Sequence, residues 1–240
     1  MSQKKLLLTR PEEEALKDKK LLENLGFEVF VLPTIAFKPL PFKVPNLEDF
    51  SYIYFGSKRA VNFFLKKVKK LPDHIKVIAV GEKTADSLRI FGVEPYLVLN
   101  GSSDHLLEMA EKGKLPKGKI LVPTAENYLK KIHRLEKLGF SLRVLKVYRT
   151  VFVSYPFETV KERLRNTQFV IFTSPSTFKG LLHNLQNRKD LLEIKKIIAI
   201  GKTTAKAVEK EGLKVWWVPS RPDMEVLARE LLEVINGNKE

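Results

Sequence analysis

The chain has 240 residues, no cysteine, and 43 Lys+Arg against 28 Asp+Glu, a formal charge of +15. Apolar residues at 44% and aromatics at 10% are too abundant for a disordered chain and suffice for one or two packed domains. Without Cys there is no disulfide framework, zinc–thiolate centre, iron–sulfur cluster or cysteine nucleophile. The N-terminal MSQKKLLLTRPEEE offers only three leucines in a row, too few for a signal peptide, and no run approaches the ~18 apolar residues that span a bilayer. A soluble, cytoplasmic protein is expected.

In chain order, LLLT opens a first strand, a helical stretch follows and stops at Gly26, and FEVFVL continues as a second strand. A proline-rich stretch, FKPLPFKVP (37–45), comes next. Then YIYF and VIAV are continuous apolar runs, as parallel strands buried on both faces require. Between them Val61, Phe64, Leu65 and Val68 form an i, i+3, i+4, i+7 stripe, and the next helix stops at Gly92. ILVP, a helix closed by Gly139, and a further strand lead into YRTVFVSYP (148–156). FVIF, a stripe of Phe178, Leu181, Leu182 and Leu185, IIAI, and a helix closed by Gly212 complete the pattern. A glycine followed by an apolar residue and a strand is helix-terminating chemistry.

The chain repeats itself. YIYFGSKRAV (52–61) resembles FVIFTSPSTF (169–178), and VIAVGEKTA (77–85) resembles IIAIGKTTA (197–205). KLLLTRPEEE…LENLGFEVFVL (5–32) resembles KILVPTAENY…LEKLGFSLRVL (119–145). The order is A, B, A′, B′, and alternating βα units predict open parallel α/β sheets. The repeat admits two foldings: A with B and A′ with B′, or B with A′ while A and B′ close together. The stretches at 37–45 and 148–156 are expected to be paired, extended linkers.

In such sheets ligands bind beyond the carboxyl ends of the strands. The turns there are Thr9-Arg10-Pro11, Ser57-Lys58-Arg59, Gly81-Glu82-Lys83-Thr84, Ser102-Ser103-Asp104 and Thr124-Ala125-Glu126. The second half supplies Thr173-Ser174-Pro175-Ser176, Gly201-Lys202-Thr203-Thr204 and Ser220-Arg221-Pro222-Asp223. Each is expected to cap a helix through a hydroxyl, and helix N-termini with Arg10, Arg59 and Lys83 suit a ligand bearing many carboxylates or phosphates. The dense basic runs KKVKK (66–70) and KKI (130–132) are expected within helices, as solvated faces.

Sharper motifs fail. GKTT at 201–204 lacks the P-loop glycine, its place being Lys196, and no GxGxxG or GxSxG follows a strand. His74, His105, His133 and His183 are scattered, so no metal is expected. Tyr148, in KVYRT where A′ meets the linker, is the candidate for a positioned phenol that donates a proton or hydrogen bond.

The ordered set of a strand ending in TRP, an F-G-S turn, a G-x-x-T-A turn, VYRT, FTSPS and a second G-x-T-T-A turn resembles the uroporphyrinogen-III synthase family, from Leu6 to about Leu232. The resemblance implies two three-layer α/β domains joined by a two-stranded β linker. One is discontinuous (1–36 with 154–240), one contiguous (46–146), and 37–45 with 147–153 form the linker. It implies a cyclising hydro-lyase that converts hydroxymethylbilane, an octacarboxylate, to uroporphyrinogen III in an interdomain cleft, with loss of water, inversion of ring D, and no cofactor or metal. The functional tyrosine falls on Tyr148, and the first-domain turn residues on Ser57, Arg59 and Thr84. Ser174, Thr203 and Thr204 come from the second copy, with Lys196 just below that turn. Where many members carry arginine this chain has Tyr128, with Lys130 and Lys131 as candidate replacements. A monomer is expected, with no nucleic acid or membrane partner, and the preceding deaminase is a candidate source of substrate. The rival readings are a two-lobed polyanion-binding protein without catalysis and a nucleic-acid-binding protein.

Overall fold

The computed structural model describes residues 4–128 and 130–237. These fall into two compact units, Met1–Ala36 with Val151–Glu240, and Phe37–Thr150. The first unit opens with strand β1 (Lys5–Leu8), helix α1 (Glu12–Glu23) and β2 (Glu28–Val31), and β3 (Ile35–Pro39) carries the chain onward. The second unit continues with β4 (Tyr52–Phe55), α2 (Lys58–Leu65), β5 (Lys76–Ala79), α3 (Glu82–Ile90) and β6 (Leu97–Val98). After these come α4 (Ser103–Glu111), β7 (Lys119–Ala125), the short α5 (Arg134–Lys137) and the long β8 (Ser141–Phe152). The chain then returns through α6 (Phe157–Arg165), β9 (Phe169–Phe172), α7 (Pro175–Asn184), α8 (Asp190–Glu193), β10 (Lys196–Ala199), α9 (Lys202–Lys210), β11 (Val215–Trp217) and α10 (Met224–Ile235).

Among the described residues, one sheet has the order β11-β10-β9-β1-β2 and the other β3-β8-β7-β4-β5-β6. β1 runs parallel to β2 and β9, and β4 runs parallel to β5 and β7. The repeated runs occupy matching places. FVIF, IIAI and the LLL run stand in one sheet where YIYF, VIAV and the ILV run stand in the other. Leu40 N–H donates to the Val147 carbonyl at 3.0 Å, where β3 and β8 lie side by side.

Every residue of β4 and β9 is buried, and successive side chains enter different cores. Ile53 and Phe55 pack with Phe64, Val77 and Leu121, whereas Tyr52 and Tyr54 pack with Ile78, Leu106 and Leu135. Val170 and Phe172 likewise join Phe178 and Leu181, whereas Phe169 and Ile171 join Leu8 and Leu227. The period of two along a strand therefore sends an all-apolar run into two layers of helices. All eight residues of the two helical stripes are buried. One expectation changes here. KKVKK does not lie within a helix: α2 ends at Leu65, Lys66 is its C-cap, and Lys67 donates to the Phe42 carbonyl beyond that end. Lysines past the last turn suit the negative end of the helix dipole. KKI likewise sits in a 3₁₀ turn, Lys130–His133.

The corner between β2 and β3 is held by Thr34, whose hydroxyl donates toward the carbonyls of Thr9 (3.0 Å) and Thr177 (2.8 Å). Helix α7 reaches this corner because Gly180 has no side chain: a Cβ there would stand 2.5 Å from the Thr34 carbonyl oxygen. Gly180→Ala is therefore expected to lower folding stability by about 1–3 kcal/mol. A denaturant midpoint equal to that of the wild type would contradict this packing.

Candidate active site

The carboxyl ends of β4, β5 and β7 border a pocket of about 360 Å³ in the second unit, lined in part by Tyr54, Ser57, Ser102, Thr124, Tyr128 and Tyr148. Tyr148 is brought there by β8, whose register against β7 shifts after Thr124 so that Tyr148 stands opposite Ala125. Glu126 N–H secures the strand by donating to the Tyr148 carbonyl at 2.8 Å. The ring is clamped: it stacks on Phe63 with centroids 5.2 Å apart, meets Phe37 edge-on at 5.9 Å, and the residue is 8% exposed. Its hydroxyl lies 3.4 Å from Ser57 Oγ.

Ser57 is the N-cap of α2, and its Oγ accepts from Ala60 N–H at 3.2 Å. One lone pair is thereby spent on the helix, and the rest of the hydroxyl serves the Tyr148 phenol. Arg59 lies two residues on and places its guanidinium 3.9 Å from the centre of the Phe37 ring. A cation, three aromatic rings and two hydroxyls thus meet beside the strand-end turn. Thr84, at the start of α3, is buried, while Lys83 beside it is exposed.

The first unit repeats this layout with differences. Ser174 caps α7, and a full capping box forms as Thr177 Oγ1 accepts from Ser174 N–H at 3.2 Å. Thr204 is buried and Thr203 exposed at the start of α9, matching Thr84 and Lys83. Arg10 is tied to Asp18 of α1, a mostly buried pair in which Arg10 Nε finds no partner. Burial raises the Asp18 carboxyl above its ordinary value, and the Arg10 charge opposes that rise without cancelling it.

Two sequence expectations are corrected. The strand-end turns are not all capped by hydroxyls. Ser57, Ser102 and Ser174 cap in that way, Asp223 caps α10 with its carboxylate, α3 and α9 begin at Gly81 and Gly201, and α1 has Pro11 with no side-chain cap. At Gly81 the reason is close packing, since a Cβ would sit 3.2 Å from the Gly101 Cα. Lys196 is the second. It opens β10, so it lies at the amino end of that strand, away from the turn at Gly201, with its ammonium 4.7 Å from a Trp216 ring centre.

Two further tyrosines line the pocket. Tyr54 faces it from a strand whose apolar run marks it as core, and burial pushes its phenol up to about 12. Tyr128 lines it too, with its hydroxyl 2.7 Å from His133 Nε2. Lys131, weighed as a substitute cation, is instead paired with Asp104 of α4.

Residues 17–229 match the family model described as Uroporphyrinogen-III synthase HemD. The chain belongs to the uroporphyrinogen-III synthase family. A relative from Chlorobaculum parvum named uroporphyrinogen-III synthase is 32% identical over 97% of this chain and 99% of its own. Among solved structures, uroporphyrinogen-III synthetase from Helicobacter pylori is 20% identical, with a TM-score of 0.70 over 97% of this chain and 99% of that one. A mutant uroporphyrinogen III synthase from Thermus thermophilus is 19% identical, with a TM-score of 0.64 over 98% and 99%. These two share the fold of the synthase family with this chain. No described helix is long and apolar enough to cross a membrane.

The Tyr54 phenol supplies a measurable marker of the pocket wall. Because it holds its proton more tightly when folded, the folded state loses stability as pH rises above 10 toward about 12. Tyr54→Phe should make that alkaline loss shallower and delete one late component from the phenolate absorbance titration. A variant titration identical to that of the wild type would place the tyrosine elsewhere.

Proposed function

We propose that this chain is a cyclising hydro-lyase that converts hydroxymethylbilane to uroporphyrinogen III, with loss of water and inversion of ring D. The observation that carries the reading is the clamped Tyr148 phenol, paired with Ser57 in a pocket at the carboxyl ends of parallel strands. Membership of the synthase family and the +15 charge support the same substrate, which carries eight carboxylates.

Tyr148, as a positioned phenol, assists departure of the ring A hydroxyl, directly or through water, leaving an azafulvenium cation. Ring D attacks that cation through its already substituted carbon, and the spiro intermediate fragments and recloses inverted. Ser57, Arg59, Lys83, Thr84, Ser174, Thr203 and Thr204 are the candidates to hold acetate and propionate groups. Helix N-termini favour anions, and these residues cluster at them. Arg10 acts with Asp18, which already neutralises it. Lys196 is left out of this set because it opens its strand at the amino end.

Uncatalysed closure gives the isomer without inversion, so holding the chain in the productive conformation is the larger part of catalysis. The phenol then accelerates a reaction that still proceeds without it. Tyr148→Phe should lower kcat by roughly 10- to 100-fold and leave measurable turnover, below the upper end of general acid–base effects. Complete loss of turnover in a variant with a wild-type unfolding midpoint would contradict this division of labour.

A further inference from the structure

Tyr128 heads a hydrogen-bonded chain that leads out of the pocket. Its hydroxyl is 2.7 Å from His133 Nε2, and His133 Nδ1 is 2.9 Å from Glu136 Oε2. With the imidazole neutral and the carboxylate ionised, one direction satisfies all three groups. An ionised carboxylate accepts and never donates, so Nδ1 carries a hydrogen and donates to Glu136. In a neutral imidazole Nε2 then holds a lone pair and accepts the Tyr128 O–H. The phenol hydrogen is committed to the imidazole, and the phenol oxygen keeps its lone pairs for whatever fills the pocket.

Exposure rises along this chain. Tyr128 lines the pocket, while the His133 and Glu136 side chains are 38% and 48% exposed. A proton entering at the pocket end can leave to water at the other. Two neighbouring cations are engaged elsewhere: Lys131 pairs with Asp104, and Arg134 with Glu111 at 3.4 Å, both on α4. A base oriented by a carboxylate and joined to a hydroxyl is a proton-transfer arrangement in enzymes of many folds.

We propose that Tyr128, His133 and Glu136 form a relay that removes the proton released on ring closure, a role distinct from that of Tyr148 at departure of the hydroxyl. The inference rests on the reaction assigned above. In that reaction the ring A hydroxyl takes one proton and leaves as water, and its carbon bonds to the substituted α-carbon of ring D. The old bond from that carbon to the ring C methylene breaks. The free α-carbon of ring D then bonds to the ring C methylene and gives up its hydrogen as a proton. This proton passes to the Tyr128 oxygen as the Tyr128 hydrogen passes to His133 Nε2. The imidazolium, held by Glu136, delivers a proton to water.

Steady-state kinetics of the full chain with fresh hydroxymethylbilane test the relay, using Tyr128→Phe, His133→Ala and His133→Gln. Each should lower kcat about tenfold or more while KM stays within about twofold. Added imidazole should restore His133→Ala, whose missing ring leaves a site open to solvent, and should not restore Tyr128→Phe. His133→Gln keeps a donor and an acceptor but cannot ferry a proton. Full kcat in that variant would make the chain a scaffold and overturn the relay, as would a His133→Ala variant indifferent to imidazole. An active wild type with unaffected variants refutes the relay alone. A wild type that forms no type III product refutes the assigned reaction and the relay with it.

Discussion

The direction of the strands governs everything else in this protein. β1, β4 and β9 are apolar on both faces and run parallel to their neighbours, so helices must cover each sheet on both sides. A parallel strand reaches the next one only through a crossover, and each crossover helix therefore starts at the same edge of the sheet. The free N–H groups of those helices, and the residues that cap them, collect along that edge in both units. An anion-receptive rim is thus a consequence of burying FVIF and YIYF, before any residue is selected for binding.

On that rim the second unit adds rigidity. Tyr148 is held by a strand register, a stacked phenylalanine and an edge-on one, and its hydroxyl meets a serine whose other contact is a helix cap. The strand register and the stacked rings are contacts the fold makes in any case, and they orient the phenol. Tyr128 is held differently, through a histidine and a glutamate that lie partly in water. The two tyrosines share a pocket yet have distinct surroundings: one is walled by aromatic rings, the other linked to solvent.

Much of the fold is visible in the residues because continuous apolar runs and i, i+3, i+4, i+7 stripes report burial directly, and the internal repeat ties the runs into two sets. The repeat alone leaves the pairing of those sets open, since short stretches join A to B and B to A′ alike. In the structure β1 lies beside β9 and β4 beside β7. What the residues hide is whatever depends on tertiary packing and not on periodicity. Asp18 reads as surface in EEEALKD, yet tertiary packing buries it against Arg10. Gly81 begins its helix bare because Gly101 crowds it, twenty residues away. Lys196 is close in sequence to the turn at Gly201 but a whole strand away in space. Tyr128 and His133 meet across an irregular turn, where no periodicity announces a contact.

The most direct measurement is the isomer ratio of oxidised uroporphyrin formed when freshly generated hydroxymethylbilane is incubated with the folded protein and separated by chromatography. Conformational control of ring closure predicts predominantly type III, dependent on the folded chain. Type I alone, appearing at the rate of a protein-free control, would contradict it and leave a rim that binds a polyanion without turning it over.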